Sequence, residues 1–404
     1  MQISTLSNGL RVVTDRIDGN VSYTGVLVKA GSRNDPAGLD GLAHFVEHTI
    51  FKGTPHRTGL QVSNRMELVG GYLNAFTSKE QIMLYTGAPS GYEERAVDLL
   101  ADLVENAHFP SDEIDRERGV IIEEIHSYNE SPSDAVFDEF DELFFANTPL
   151  AHNILGYTDS VQRISGADAR QFLETYFTPE NMVFYCASPL DDKRILHCVD
   201  NTIGKLDRNT ALASQPALPT SWTQFDETRI TDKRQANSVV GMHIFDSADE
   251  RRFAMLLFSN ILGGPSMNSR LNRELREKRG LVYGVDSSAT TLFDTGMFQI
   301  YFATETANVK KCRQIVRREI EALASKRMSD RTFRQATRQI CGQLLMRSEN
   351  RRSNAMSMAQ SVMRYGKVYD KKYIADRVAQ LTPDDLLDIA RYVADLPESH
   401  LTLA

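Results

Sequence analysis

The second half of this 404-residue chain repeats the pattern of the first, and that repeat restricts the fold more than any other feature. The helical pattern over 93–106, followed by Ser111-Asp112, returns over 308–324, followed by Ser329-Asp330. Ile164-Ser165-Gly166-Ala167-Asp168 returns as Leu381-Thr382-Pro383-Asp384-Asp385. Tyr176, Pro179 and a closing strand return as Tyr392, Pro397 and Leu401-Thr402-Leu403. The offset stays near 217–218 residues, which points to duplication rather than coincidence. Between the copies, residues 207–225 lose periodicity in favour of Ala, Ser, Thr, Pro216 and Pro219, the composition of a linker. Each copy mixes strand and helix patterns. The expected class is therefore α+β, with two homologous domains, 1–206 and 226–404, each a mostly antiparallel sheet with helices packed on it.

Local periodicity fills in the first copy. Residues 10–13 and 23–28 read as strands around an Asp18-Gly19-Asn20 turn. Residues 40–51 read as a helix, with Leu42, Val46 and Ile50 at helical spacing. Residues 81–86 and 182–185 read as strands, and 111–128 as a long helix opening on acidic residues.

Composition removes several function classes. Apolar residues at 41% suffice for a core, while a net charge of -8 argues against nucleic acid or anionic membrane as partner. No 18-residue apolar run suggests a membrane span, and the N-terminus lacks the basic and apolar regions of a signal peptide. Cys186, Cys198, Cys312 and Cys341 form no Cys-x-x-Cys pair and read as reduced thiols. The expected location is cytoplasmic.

Chemistry concentrates in His44-Phe45-Val46-Glu47-His48. On a helix, His44 and His48 are four apart and share a face, so two imidazoles can hold one metal ion. Glu47 leans toward the same face, where a carboxylate beside a metal-activated water suits a general base. This is the H-x-x-E-H inversion of the H-E-x-x-H zinc helix. A third ligand is still required. Glu117 and Glu124, two turns apart on the 111–128 helix, share a face with Ile121 between them; Glu123 and His126 are rivals.

The run from His44 to Thr54 resembles the zinc helix of the pitrilysin/insulinase family of metallopeptidases, close to the β subunit of mitochondrial processing peptidase and its bacterial relatives. Glu117-Arg118-Gly119-Val120-Ile121-Ile122-Glu123-Glu124-Ile125 is similar to that family's second motif. The resemblance implies one Zn2+ per chain on His44, His48 and Glu124, with Glu47 as base and Glu117 in support. Gly70-Gly71-Tyr72-Leu73-Asn74-Ala75-Phe76-Thr77 resembles the family's edge strand, where Asn74 and Ala75 would pair with a substrate backbone. Phe76 beside them is read as an aromatic that lines a subsite, with a core position as the alternative. Read without the family, Gly70-Gly71-Tyr72 is a turn and Asn74 a turn residue. Leu275-Arg276-Glu277-Lys278-Arg279-Gly280-Leu281-Val282-Tyr283 resembles the C-terminal signature, implying that Arg276 and Tyr283 reach the substrate. The bland alternative is a solvated charge run. Three departures stand out: Thr49 where Met is usual, the short Gly263-Gly264 where processing peptidases carry a glycine-rich loop, and Cys186-Ala187-Ser188-Pro189 at a strand end.

The second copy lacks the ligands. Met255, Phe258 and Ser259 fall opposite His44, Glu47 and His48, and Gly342 opposite Glu124. A fold that needed these histidines structurally would need them twice. The family implies an endopeptidase acting on peptides or unfolded segments inside a two-chain chamber, as a homodimer or, alternatively, as a heterodimer with an inactive homologue. Competing readings are a non-catalytic assembly subunit, whose relatives have damaged zinc motifs, and a metal-dependent hydrolase of non-peptide substrates.

Overall fold

In the computed structural model, which describes residues 1–209, 216–231 and 235–404, the alternating patterns of each half close into one sheet. Residues 210–215 of the expected linker lie outside the described residues. Along the first half run β1 (Gln2–Thr5), β2 (Arg11–Arg16), β3 (Val21–Val28), α1 (Leu42–Thr49), β4 (Gly53–Thr54), β5 (Arg57–Thr58), α2 (Gly59–Glu67), β6 (Tyr72–Thr77), β7 (Ile82–Pro89), α3 (Glu93–Asn106), α4 (Ser111–Asn129), α5 (Pro132–Phe144), α6 (Thr158–Arg163), α7 (Gly166–Tyr176), β8 (Met182–Ser188) and α8 (Asp192–Asp200). The second half carries β9 (Asp226–Arg229), β10 (Gln235–Ile244), α9 (Arg252–Gly263), β11 (Val282–Thr291), β12 (Gly296–Glu305), α10 (Val309–Ser325), α11 (Asp330–Arg347), α12 (Arg351–Tyr365), α13 (Lys371–Ala379), α14 (Pro383–Asp395) and β13 (Ser399–Leu403).

The sheet of the first unit has the order β1-β2-β8-β3-β7-β6, and that of the second β11-β12-β10-β13-β9. Read from opposite ends, β2-β8-β3-β7-β6 and β9-β13-β10-β12-β11 are one topology. Each has a single parallel pair, β2 with β8 and β9 with β13, and antiparallel pairing elsewhere. The sequence repeat is thus a repeat of strand order, in an α+β fold of two homologous units.

By contact, the chain divides into Met1–Ser127, Asn147–Pro216 and Asn350–Asp370 on one side, and Tyr128–Ala146, Ala217–Glu349 and Lys371–Ala404 on the other. Each half therefore lends one helix. α12 packs on β2, β3 and β8 of the first unit, while α5 packs on β10 and β13 of the second. The contiguous division expected from sequence, 1–206 and 226–404, leaves out this exchange. Its cause is the two-sided sheet. Val26, Val28, Leu84 and Phe184 point into the core made with α1 and α3, so alternate residues of the same strands face the other way and need a second cover. α12 supplies it with the buried residues Ala355, Met358, Ala359 and Val362.

No helix among the described residues is long and apolar enough to cross a membrane. All four cysteines are free thiols.

Candidate metal centre

α1 is capped by Gly41, whose φ of 92° is left-handed and where a Cβ would sit 2.5 Å from the Leu155 carbonyl oxygen. Glycine is required on both counts. The unpaired amides of the helix start are answered from a distance: Gly41 N and Ala43 N each donate to the Asp35 carboxylate at 2.8 Å. Asp35 is buried, and that burial pushes its carboxyl well above the usual carboxylate range despite the opposing backbone donors.

This anchored helix presents His44 and His48 together, their rings 4.5 Å apart and T-shaped. His44 is buried, and burial, aided by the charge of His48, lowers its pKa to about 3. A neutral imidazole keeps the lone pair that a metal needs. Glu124 approaches from α4. Its Oε2 lies 3.4 Å from His48 Nε2 and 3.9 Å from His44 Nε2. One ligand atom from each of His44, His48 and Glu124 lies within 4.8 Å of the others. The rivals Glu123 and His126 are exposed and outside this group.

Glu117, two turns earlier on α4, lies with Oε1 2.9 Å from His48 Nδ1, and its other oxygen pairs with Lys52. An ionised carboxylate only accepts, so Nδ1 carries the proton and Nε2 is left open toward Glu124. Glu47 accepts a hydrogen bond from Thr77 Oγ1 at 2.6 Å. Burial raises its carboxyl above the ordinary range, with the Thr77 bond pulling the other way. Lys52 and Thr77 escaped sequence reasoning. Lys52 stands one helical turn beyond His48, a signal that was available; Thr77 had none beyond closing the edge-strand motif.

The group fits a metal. Two imidazoles, one of them held neutral, and one carboxylate form a nitrogen and oxygen donor set suited to zinc, and three protein ligands leave a position open for chemistry. His44 Nδ1 is buried without a hydrogen-bond partner.

Asn74, Ala75 and Phe76 lie on β6, an outer strand of its sheet. Asn74 is therefore a strand residue, not the turn residue that its type alone suggests; the turn sits at Gly70, with φ of 76°. Ala75 packs into the core, and its N–H donates to Asn74 Oδ1 at 2.7 Å. Phe76 tilts against Tyr85 at 6.4 Å. Arg276 and Tyr283 belong to the second unit. Tyr283 lies on the outer strand β11 and is 65% exposed. Lys278 and Arg279 both bond the buried Glu274, while exposed Arg276 has no carboxylate partner among the described residues.

Comparison with known proteins addresses the whole chain. Residues 11–158 match the model described as insulinase, peptidase family M16, and residues 163–340 the one described as peptidase M16 inactive domain. A protein of Streptomyces coelicolor named as an uncharacterized zinc protease is 30% identical over 397 residues, covering 96% of this chain and 86% of its own length. This chain belongs to the insulinase family, peptidase family M16. Other M16 relatives carry the same description: one from Mycobacterium tuberculosis is 30% identical over 96% of this chain and 90% of its own. YmxG of Bacillus subtilis is 28% identical over 90% of this chain and 88% of its own. The M16 fold recurs in a crystallised protease from Helicobacter pylori, with a TM-score of 0.91 at 20% identity, covering 100% of this chain and 98% of that one. The inactive-domain match covers the stretch in which the sequence carries Met255, Phe258 and Ser259 in place of His44, Glu47 and His48.

Proposed function

We propose that this M16 protein is a zinc-dependent endopeptidase that cuts peptides or unfolded segments. The observation that carries the reading is the convergence of His44, His48 and Glu124, with Glu47 held beside them by Thr77. His44, His48 and Glu124 would hold one zinc ion per chain. Zinc so bound supplies Lewis acidity, polarising the scissile carbonyl and lowering the pKa of water toward about 7. Glu47, raised by burial, takes the proton from the attacking water and returns it to the leaving amine. Glu117 keeps His48 in the tautomer that faces the metal. The free edge of β6 would take the peptide as an added strand, Asn74 first releasing the Ala75 amide, with Phe76 lining a subsite. Arg276 would hold the peptide, and the Tyr283 hydroxyl would donate to the developing oxyanion. Both motifs stand in one chain, which favours a homodimer enclosing the substrate over a pairing with an inactive homologue.

Zinc analysis, together with cleavage of an unstructured peptide by wild type and Glu47→Gln, tests the reading. Both proteins should hold one zinc, with cleavage falling by about 10²–10⁴ in the variant. Undiminished cleavage by zinc-loaded Glu47→Gln would sink the general-base role. A zinc-loaded wild type that cuts no unfolded peptide would favour the assembly-subunit reading.

A further inference from the structure

The start of β6 borders a cavity that the chemistry above does not use. Tyr72, the first residue of the strand, pairs across the sheet with Gly87, which pairs in turn with Tyr23. Gly87 makes room: a Cβ there would sit 2.6 Å from the Tyr72 ring. Between Tyr23 and Tyr72 a hollow of about 360 Å³ opens, bordered on another side by the exposed residues Asn350 and Arg352. All of these residues belong to the first unit. Strand alternation puts Tyr72, Asn74 and Phe76 on the face opposite Leu73, Ala75 and Thr77, so the hollow lies on the other face of β6 from Glu47.

The charge in this hollow is unanswered. Arg352 hydrogen-bonds the Tyr72 hydroxyl, and no carboxylate pairs with it among the described residues. Other cations of α12 are engaged: Arg351 bonds the Asp18 carbonyl, and Arg364 lies 3.4 Å from Glu80. Arg352 is exposed at the rim of the hollow, and a guanidinium bonded there only to a phenol attracts an anion. A peptide lying along the β6 edge delivers its side chains alternately to the two faces, and one of them meets the hollow. From Thr77, which touches Glu47, to Tyr72 the strand runs about 17 Å, at roughly 3.4 Å per residue.

We infer that this hollow is a subsite for an aspartate or glutamate side chain of the bound peptide, about four to six residues from the bond that is cut, with Arg352 as the recognising cation and Tyr72 holding it in place. The inference rests on the edge-strand reading of substrate binding. In a chain of net charge -8 such a preference is local and salt-sensitive.

The test uses amidated unstructured peptides cut at one known bond, with aspartate or alanine scanned through three to seven residues on either side. Wild type should favour aspartate over alanine in kcat/KM by about three- to fivefold within one window, and 0.5 M salt should erase the preference. The ratio should fall to about one in Arg352→Gln and persist in part in Arg352→Lys. Because each ratio is taken within one protein, a partly misfolded variant lowers both rates and leaves it unchanged. No window of preference in wild type, or one that survives Arg352→Gln, overturns the subsite. Fluorescence anisotropy with Glu47→Gln compares binding of the same peptide pairs without cleavage. A preference for aspartate lost on adding Arg352→Gln upholds the subsite even if the endopeptidase reading fails; equal binding overturns the subsite alone.

Discussion

α1 and α9 occupy equivalent places in two units of one topology, yet one presents His44, Glu47 and His48 and the other Met255, Phe258 and Ser259. Met255 and Phe258 are buried in the core of the second unit, and Ser259 Oγ donates to the Ser287 carbonyl at 2.9 Å. Opposite Glu124 stands Gly342, with nothing within 4 Å of where a Cβ would lie. The second unit thus fills with apolar volume and one hydroxyl a place that in the first unit gathers three ionisable side chains. The fold does not need those groups; it tolerates them where each has a partner. In the first unit, burial holds His44 neutral, Lys52 and Glu117 brace His48, and Thr77 bonds Glu47. A buried polar group without such partners costs free energy, which is the pressure under which an unused site becomes ordinary core.

The hardest strain on this comparison is to separate the two copies. Each sheet is covered by a helix from the other half, so 1–206 and 226–404 expressed alone should show no cooperative thermal transition, and co-expression should restore one. Two independently melting halves would show that α5 and α12 are dispensable. Next in size is ligand removal. His44→Ala should lose zinc, read by mass spectrometry, and lose all measurable cleavage, while its far-UV circular dichroism stays that of wild type, because α9 forms without the ligand. Collapse of the helical signal would mean that the first unit, unlike its copy, needs the histidine to fold. Glu117→Gln should act more mildly, weakening zinc by about 10–100-fold in a chelator competition with the fold intact; unchanged affinity would reduce the Lys52–Glu117–His48 chain to a surface ion pair.

The smallest effect belongs to the second unit. His243 is stacked between Phe144 at 3.6 Å and Trp222 at 4.0 Å, and burial lowers its pKa from 6.5 to about 4. Between those values the unfolded chain takes up a proton that the folded one refuses. Stability should therefore fall as pH drops from about 6.5 to 4 and level off below. Trp222 is the chain's one tryptophan, so its fluorescence in urea titrations reads this unit. His243→Gln should flatten that part of the profile, and an unchanged slope would place the titration elsewhere.

Sequence alone was enough for whatever repeats along one element. The 217–218 offset foretold two copies of one topology; the four-residue spacing of His44 and His48 foretold a shared face; the seven-residue spacing of Glu117 and Glu124 foretold another. Periodicity determines which side chains share a face, because helix and strand geometry is local. Which face meets which is a matter of non-local burial, and only the tertiary structure decided it. Glu124 rather than Glu123 or His126 meets the histidines because α4 turns its Ile121 and Ile125 stripe into the core. Thr77 reaches Glu47 across thirty positions, and Arg352 reaches Tyr72 across 280, because β6 lies beside α1 and α12 covers the sheet of the other half. The exchange of α5 and α12 left no trace in the repeat, since each copy has a helix at that place and periodicity is silent on which sheet it covers.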